Sequence, residues 1–355
     1  MDRTTEHPQD SNESLAVLLV NLGTPEAPTP AAVRQYLKEF LSDPRVVESP
    51  RWLWWLVLNG VILRVRPARS AAAYRKIWTE QGSPLLLHTV ALAAGVQELL
   101  TARLSNNVTV YPAMSYGQPS IPAALKRMLQ QNIRRVVVLP LYPQYASSTT
   151  GSVFDAVTAE LSRQRWVPEL RFINRYHDVP GYISSLAKSI REFRDANGRG
   201  ERLLFSFHGI PRRMVDQGDP YLHQCQETAR LVAQYLALGE DDWQLTFQSR
   251  VGGQEWLRPY TDETLESWGE QGVGNIDVVC PGFAVDCLET LEEIALQNSE
   301  RFSAAGGGEL RYIPCLNDRP DHIEFLSDLA ERNLAGWASR AAEAFTNAST
   351  AGSAH

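Results

Sequence analysis

Cysteine is scarce and unpatterned: the chain holds four, Cys225, Cys280, Cys287 and Cys315, with no CxxC spacing among them. No zinc or cluster site is readable from them alone, and in a reducing compartment they are expected as free thiols. Positive charge is also short. The 34 Lys+Arg stand against 41 Asp+Glu, a formal net charge of −7, so nothing recruits nucleic acid. The opening "MDRTTEHPQDSNES" is polar and acidic and contains no apolar segment ahead of the first strand. No secretory signal is therefore read, and a cytoplasmic address is expected. Long hydrophobic runs are missing as well. The longest noted, "WLWWLVLNGVILRV" at 52–65, is broken by Asn59 and Gly60 and flanked by Arg51, Arg64 and Arg66. It is too short to span a bilayer, though it could lie on one or grip a flat apolar ligand.

What is present is an ordinary globular composition, 44% hydrophobic, over a length of 355 residues that suits two domains. Eight short β-rich runs alternate with long amphipathic stretches: "LAVLLVNLG", "VTVYPAM", "RVVVLPLY", "LRFINRY", "RLLFSFHG", "WQLTFQSR", "IDVVCPG" and "LRYIPCL". Such uniformly apolar strands suit parallel sheets covered on both faces. The count divides into four and four near a helix at 180–196. The expected architecture is two Rossmann-like, doubly wound α/β domains, 15–178 and 179–320, with a cleft between them. A helix is expected over 321–345, with disordered ends at 1–14 and 346–355.

In open α/β sheets, ligands bind beyond the carboxyl ends of the strands. Aromatics, glycines, one histidine and a carboxylate series collect at those exits here. "GEQGVGN" at 269–275 comes before a strand and so cannot cradle a pyrophosphate. "SSTTGS" at 147–152 could offer amides to an anion or simply cap a helix. In "DCLETLEE", Asp286, Glu289 and Glu293 stand at i, i+3 and i+7, one stripe if the segment is α-helical. Such acids also suit a solvated helix start. The upstream "VVCPGF" would aim them into the cleft. His208, in "FSFHGIPRR", could be a satisfied turn residue. As a neutral imidazole it could instead take a proton near pH 7 or ligate a divalent cation. With Glu it would make an open, weak metal site.

The blocks "LLVNLGTPEAPT", "LPLYPQYASSTTGS", "FSFHGIPRR", "TFQSRVGGQEWLRPYTDE" and "PGFAVDCLETLEE" together resemble the ferrochelatase family, in order over roughly residues 15–320. The resemblance implies an enzyme that inserts Fe²⁺ into a porphyrin, protoporphyrin IX above coproporphyrin, to complete haem. It implies that His208 and Glu289 face each other across the macrocycle as catalytic and metal-binding residues. Leu22, Tyr116, Tyr142, Trp256 and Phe283 would line the porphyrin pocket, and Asp286 and Glu293 would extend a proton or metal path. The segment 52–65 corresponds to the porphyrin lip, which in membrane-associated members touches the bilayer at its inner face. Members with an iron–sulfur cluster use C-terminal cysteines plus one in the "YPQY" block. Here Ser147 stands at that position and no cysteine follows Cys315, so no cluster and no prosthetic group are expected. Some members carry a histidine two residues before the glutamate; this chain has Cys287 there.

Metallation must remove two pyrrole protons, strip water from Fe²⁺ and bend a planar ring. A base, a carboxylate row and apolar walls answer these needs. Which of His208 and Glu289 meets the metal first stays open at this level. Two other classes compete: a tetrapyrrole carrier without catalysis, and a chelatase for another metal.

Overall fold

The computed structural model describes residues 14–338. Strands form at all eight apolar runs: β1 (Leu15–Gly23), β2 (Val108–Tyr116), β3 (Arg135–Pro140), β4 (Glu169–Phe172), β5 (Arg202–His208), β6 (Trp243–Gln248), β7 (Ile276–Val279) and β8 (Leu310–Tyr312). They build two four-stranded sheets, ordered β2-β1-β3-β4 and β6-β5-β7-β8, with every pairing parallel. The doubly wound α/β architecture expected from the sequence is thus realised twice with the same strand order. In β1, Leu15 to Val20 are wholly shielded, because helices cover both faces of the central strand.

The connecting helices are α1 (Pro30–Ser42), α2 (Arg51–Val57), α3 (Leu63–Ile77), α4 (Pro84–Arg103), α5 (Ile121–Gln130) and α6 (Ser152–Leu161) in the first half. The second half supplies α7 (Pro180–Asn197), α8 (Arg212–Asp216), α9 (Tyr221–Tyr235), α10 (Thr261–Glu270), α11 (Ser299–Ala304) and α12 (Pro320–Leu334). Helix α1 starts on Thr29, whose hydroxyl accepts from the Ala32 amide, with Pro30 just inside. Helix α4 is long and apolar enough to cross a membrane by length and composition. Its Leu92, Val96 and Leu100 are buried against β1 residues Leu15, Val17 and Leu19, so the same apolar face serves the core.

The core does not stop between the sheets. One buried cluster runs from Leu19 and Val137 through Tyr182, Leu186 and Ile190 of α7 to Phe205, Phe207 and Val279. Helix α12, whose docking the spacing left open, crosses back to the first half. There Arg103 of α4 pairs with Asp328 at 2.8 Å and with Glu324. The helix ends at Leu334, short of the expected 345: Ala335 turns extended and Gly336 takes φ +79°, a left-handed stop that its missing Cβ permits. Residues 339–345 of that expected helix, the tail 346–355 and residues 1–13 lie outside the described residues.

Candidate active site

In each sheet the chain leaves the first strand to one side and then crosses to the other: β1 to β2, then β3; β5 to β6, then β7. The carboxyl ends of β1 and β3, and of β5 and β7, therefore border the switch points where such folds bind ligands. His208 ends β5. Phe283 and Glu289 follow β7, Leu22 lies at the end of β1, and Tyr142 follows β3. All of these residues are half-buried, as are Trp256 and Glu293, so each keeps a face open to solvent.

His208 is held from three directions. Its Nδ1 lies 2.7 Å from the Gly209 carbonyl, which can only accept, so Nδ1 carries a proton and Nε2 is the nitrogen that holds the lone pair whenever the ring is neutral. The Tyr221 hydroxyl donates to the His208 carbonyl at 2.9 Å. The Phe283 ring stands with its centroid 6.3 Å away, tilted by 58°. Gly209 has no room for a side chain: a Cβ there would sit 2.9 Å from the Gln248 carbonyl and 3.3 Å from the Trp256 ring. That contact also puts Trp256 beside His208, and its Nε1 donates to the Val251 carbonyl at 2.9 Å.

The carboxylates sit on an unusual support. Residues Glu289–Asn298 wind as a π-helix, a rare form whose i→i+5 bonding is concentrated at functional sites. Gln248, level with His208 in the neighbouring strand, donates through Nε2 to the Glu289 carbonyl at 2.8 Å. Glu293, four residues on, accepts from the Ser249 amide at 2.8 Å and from the Ser249 hydroxyl. Ser249 achieves this double donation with φ +66°, a left-handed conformation that costs a non-glycine residue about 1–2 kcal/mol. Burial pushes the Glu293 carboxyl above its usual range; the Ser249 donors and His208 oppose that rise, and Glu289 adds to it. His208 and Glu289 both lie near enough to act on the Glu293 carboxyl.

Asp286 departs from the expected stripe. It lies in the loop before the π-helix, and its carboxylate is occupied by Tyr312 Oη, Thr290 Oγ1, the Cys315 amide and Asn317 Nδ2. Its own amide donates to Asn317 Oδ1 at 2.8 Å. A carboxylate so fully used, and 6% exposed, fastens the loop. The i, i+3, i+7 argument fails because the segment is not an α-helix through all three positions.

The opposite wall comes from the first half. Leu22 packs with Leu288, the neighbour of Glu289, against a cluster containing Tyr36, Tyr74 and Tyr116. Tyr116 is itself buried, its hydroxyl donating to Asp43 Oδ2 at 2.7 Å, so it backs this wall. The Tyr142 hydroxyl is buried beside Ser115 without a hydrogen bond of good geometry, and burial pushes it above its usual range. Burial first, then the Glu289 carboxylate, pushes the Tyr74 hydroxyl far up; burial, Tyr74 and Glu289 do the same to Tyr36. Both phenols stay neutral, so the wall near Glu289 offers hydroxyls and no competing charge.

Sequence reasoning missed Gln248, Ser249, Tyr36, Tyr74 and one ion pair. Lys76, near the end of α3, reaches the buried Glu292 of the π-helix at 2.8 Å and so ties the helix that leaves the lip to the support of Glu289. Gln248 and Ser249 lie inside the quoted "TFQSR" block, but only register and φ reveal their work. The "SSTTGS" turn is already supplied with an anion: the Ser147 amide donates to Asp219 Oδ2 at 2.7 Å.

The lip is α2, a π-helical turn at Leu58–Ile62 and the start of α3. Trp52 and Trp55 are 71% and 63% exposed, whereas Trp54 is half-buried and donates to the Leu41 carbonyl at 2.6 Å.

A solved structure of SirB from Bacillus subtilis with Fe³⁺ shares the fold: TM-score 0.54 and 12% identity, covering 91% of this chain and 96% of that one. A ferrochelatase of Thioalkalivibrio sulfidiphilus is 56% identical over 95% of this chain and 91% of its own length. One of Marinobacter nauticus is 54% identical over 92% and 88%. The family model described as Ferrochelatase matches residues 14–334, which is nearly all of the described chain, and with relatives this similar the chain belongs to the ferrochelatase family.

Proposed function

We propose that His208 and Glu289 carry metallation in this chain, with Glu293 as the proton path behind them. The reaction is that of the family: Fe²⁺ enters a porphyrin, two pyrrole protons leave, and haem results. Iron and porphyrin are both substrates, and iron keeps its oxidation state, so no redox partner is needed. Protoporphyrin IX is the porphyrin we assign.

The observation that carries the assignment is the Nδ1 bond of His208 to the Gly209 carbonyl, which makes Nε2 the acceptor nitrogen of the neutral ring at a strand exit. A base so oriented can take a pyrrole proton, or bind the ion while another group takes the proton. Glu289 supplies the carboxylate oxygen that replaces water on Fe²⁺. Glu293, whose carboxyl burial pushes above its usual range, can accept a proton from this site and release it again. Asp286 belongs to the loop and not to this path. Phe283, Trp256 and Leu22 supply apolar surface for the ring.

No cluster takes part. All four thiols are buried: Cys225 lies on α9, and the other three lie around the loop that Asp286 fastens. The lip makes peripheral contact with the inner face of a membrane, because in α2 only Trp54 packs on the core while Trp52, Leu53, Trp55, Leu56 and Val57 stay exposed. A helix apolar around its circumference is otherwise found inside a core or in lipid.

The test is anaerobic protein with Fe²⁺ and either protoporphyrin IX or coproporphyrin, followed by absorption of the metallated ring. Turnover with protoporphyrin and no acid-labile sulfide are expected. Tight porphyrin retention without metallation would favour the carrier reading, and stoichiometric sulfide would refute the cluster-free site.

A further inference from the structure

We propose that the face formed by α1 and the lip docks on an anionic phospholipid surface, with one lipid phosphate seated between Arg34, Lys38 and Arg64. This rests on the membrane reading of the lip and adds the chemistry of the lipid and the residues that recognise it.

Charge is the first observation. Although the whole chain carries a net −7, residues 51–78 contain Arg51, Arg64, Arg66, Arg69, Arg75 and Lys76 and no acid. Elsewhere arginines are commonly paired: Arg45 with Asp155, Arg194 and Arg311 with Asp277, Arg250 with Asp262 and Glu263. On the lip face, Arg34, Lys38, Arg64, Arg66 and Arg69 have no hydrogen-bond or ion-pair partner among the described residues. Unpaired cations gathered beside apolar rings, on a protein of opposite net charge, orient it toward an anionic surface and keep the remainder away.

Shape is the second. Arg34 and Lys38 are one helical turn apart on α1 and so share a face. With Gln35, Asn59 and Arg64 they line a shallow cavity of about 450 Å³ between α1 and the lip. The segment that lines it through Asn59 and Arg64 also carries the exposed side chains of Trp52, Trp55, Val61 and Val65, the last 68% exposed. Tryptophan at an apolar–polar boundary with cations beside it is the composition of a helix lying in the headgroup layer. A protein partner would also cover such rings, but it would need an acidic surface whose charge and depth match both features. A bilayer containing anionic lipid supplies both by its own structure.

The test is sedimentation of the full chain with sucrose-loaded vesicles of phosphatidylcholine alone, or of phosphatidylcholine mixed with phosphatidylglycerol. Wild-type protein should prefer the anionic vesicles, and added salt should weaken that preference. A cation near an anionic surface contributes about fivefold in partitioning, so Arg34→Gln/Lys38→Gln/Arg64→Gln should lose roughly a hundredfold on anionic vesicles. The same variant should bind neutral vesicles as wild type does. Trp52→Ser/Trp55→Ser should bind both vesicles less. Circular dichroism and a urea midpoint keep folding in view; all five residues are exposed. Equal binding of wild type to both vesicles, or undiminished anionic binding by the triple variant, overturns the phosphate site but leaves membrane contact standing. No binding of wild type to either vesicle refutes the membrane reading itself.

Discussion

Trp54 and Trp55 are neighbours in sequence with opposite fates, and replacing each separately tests what the lip is for. Trp54 is half-buried against Leu41 and the α1–α3 cluster. If it removes on the order of 100 Å² of apolar surface from water, it contributes about 2.5 kcal/mol at 25 cal/mol per Å². Its N–H bond to the Leu41 carbonyl adds about 1 kcal/mol. Trp54→Ala should therefore cost about 3 kcal/mol in urea unfolding. Trp55, 63% exposed, should change stability by less than about 0.5 kcal/mol when replaced by Ser. The functional readout should reverse that order: Trp55→Ser should raise the apparent porphyrin KM or weaken vesicle binding. If Trp55→Ser unfolds as easily as Trp54→Ala while KM and vesicle binding stay unchanged, the rings are ordinary packing and the lip has no capture role.

Lys76→Met, which strands the buried Glu292 beneath the π-helix, should lower kcat about tenfold with porphyrin KM nearly unchanged, because a small displacement of Glu289 is costly in rate. Lys76→Arg should restore most of it; a change in KM alone would mean that the pair serves the lip and not the π-helix. His322 is buried, with Nδ1 bonded to the Asn317 carbonyl, and burial lowers its pKa from 6.5 to about 4. The unfolded chain takes up the proton first, so stability falls as pH drops from about 6.5 toward 4, by about 2 kcal/mol at pH 5 relative to pH 7. Urea titrations at the two pH values should show that difference shrinking in His322→Leu; an unchanged difference assigns the acid sensitivity elsewhere.

The strands were legible because parallel strands covered on both faces need unbroken apolar runs, and β1 and β5 carry them. His208 was legible as an unusual residue at a strand exit. Glu289 was identified through the five blocks more than through its spacing. The π-helix left no periodic trace, since α-spacing arguments presuppose i→i+4 winding; the stripe drawn through Asp286, Glu289 and Glu293 does not form for that reason. Ser249 carries no sequence mark of its left-handed backbone, which the double bond to Glu293 imposes. The lip was visible as apolar, but its lack of burial depends on what packs around it. The end of α12 could have been read from Gly336; its docking on α4 could not, because Arg103 and Asp328 are 225 positions apart.

The central claim is that His208 and Glu289 perform metallation and not folding or porphyrin capture. The most direct measurement is anaerobic haem formation by His208→Ala and Glu289→Gln, with porphyrin affinity and circular dichroism recorded on the same preparations. The account predicts native spectra, porphyrin Kd close to wild type and haem formation reduced by about three orders of magnitude in each variant. Wild-type turnover in either variant, with the fold intact, would contradict it.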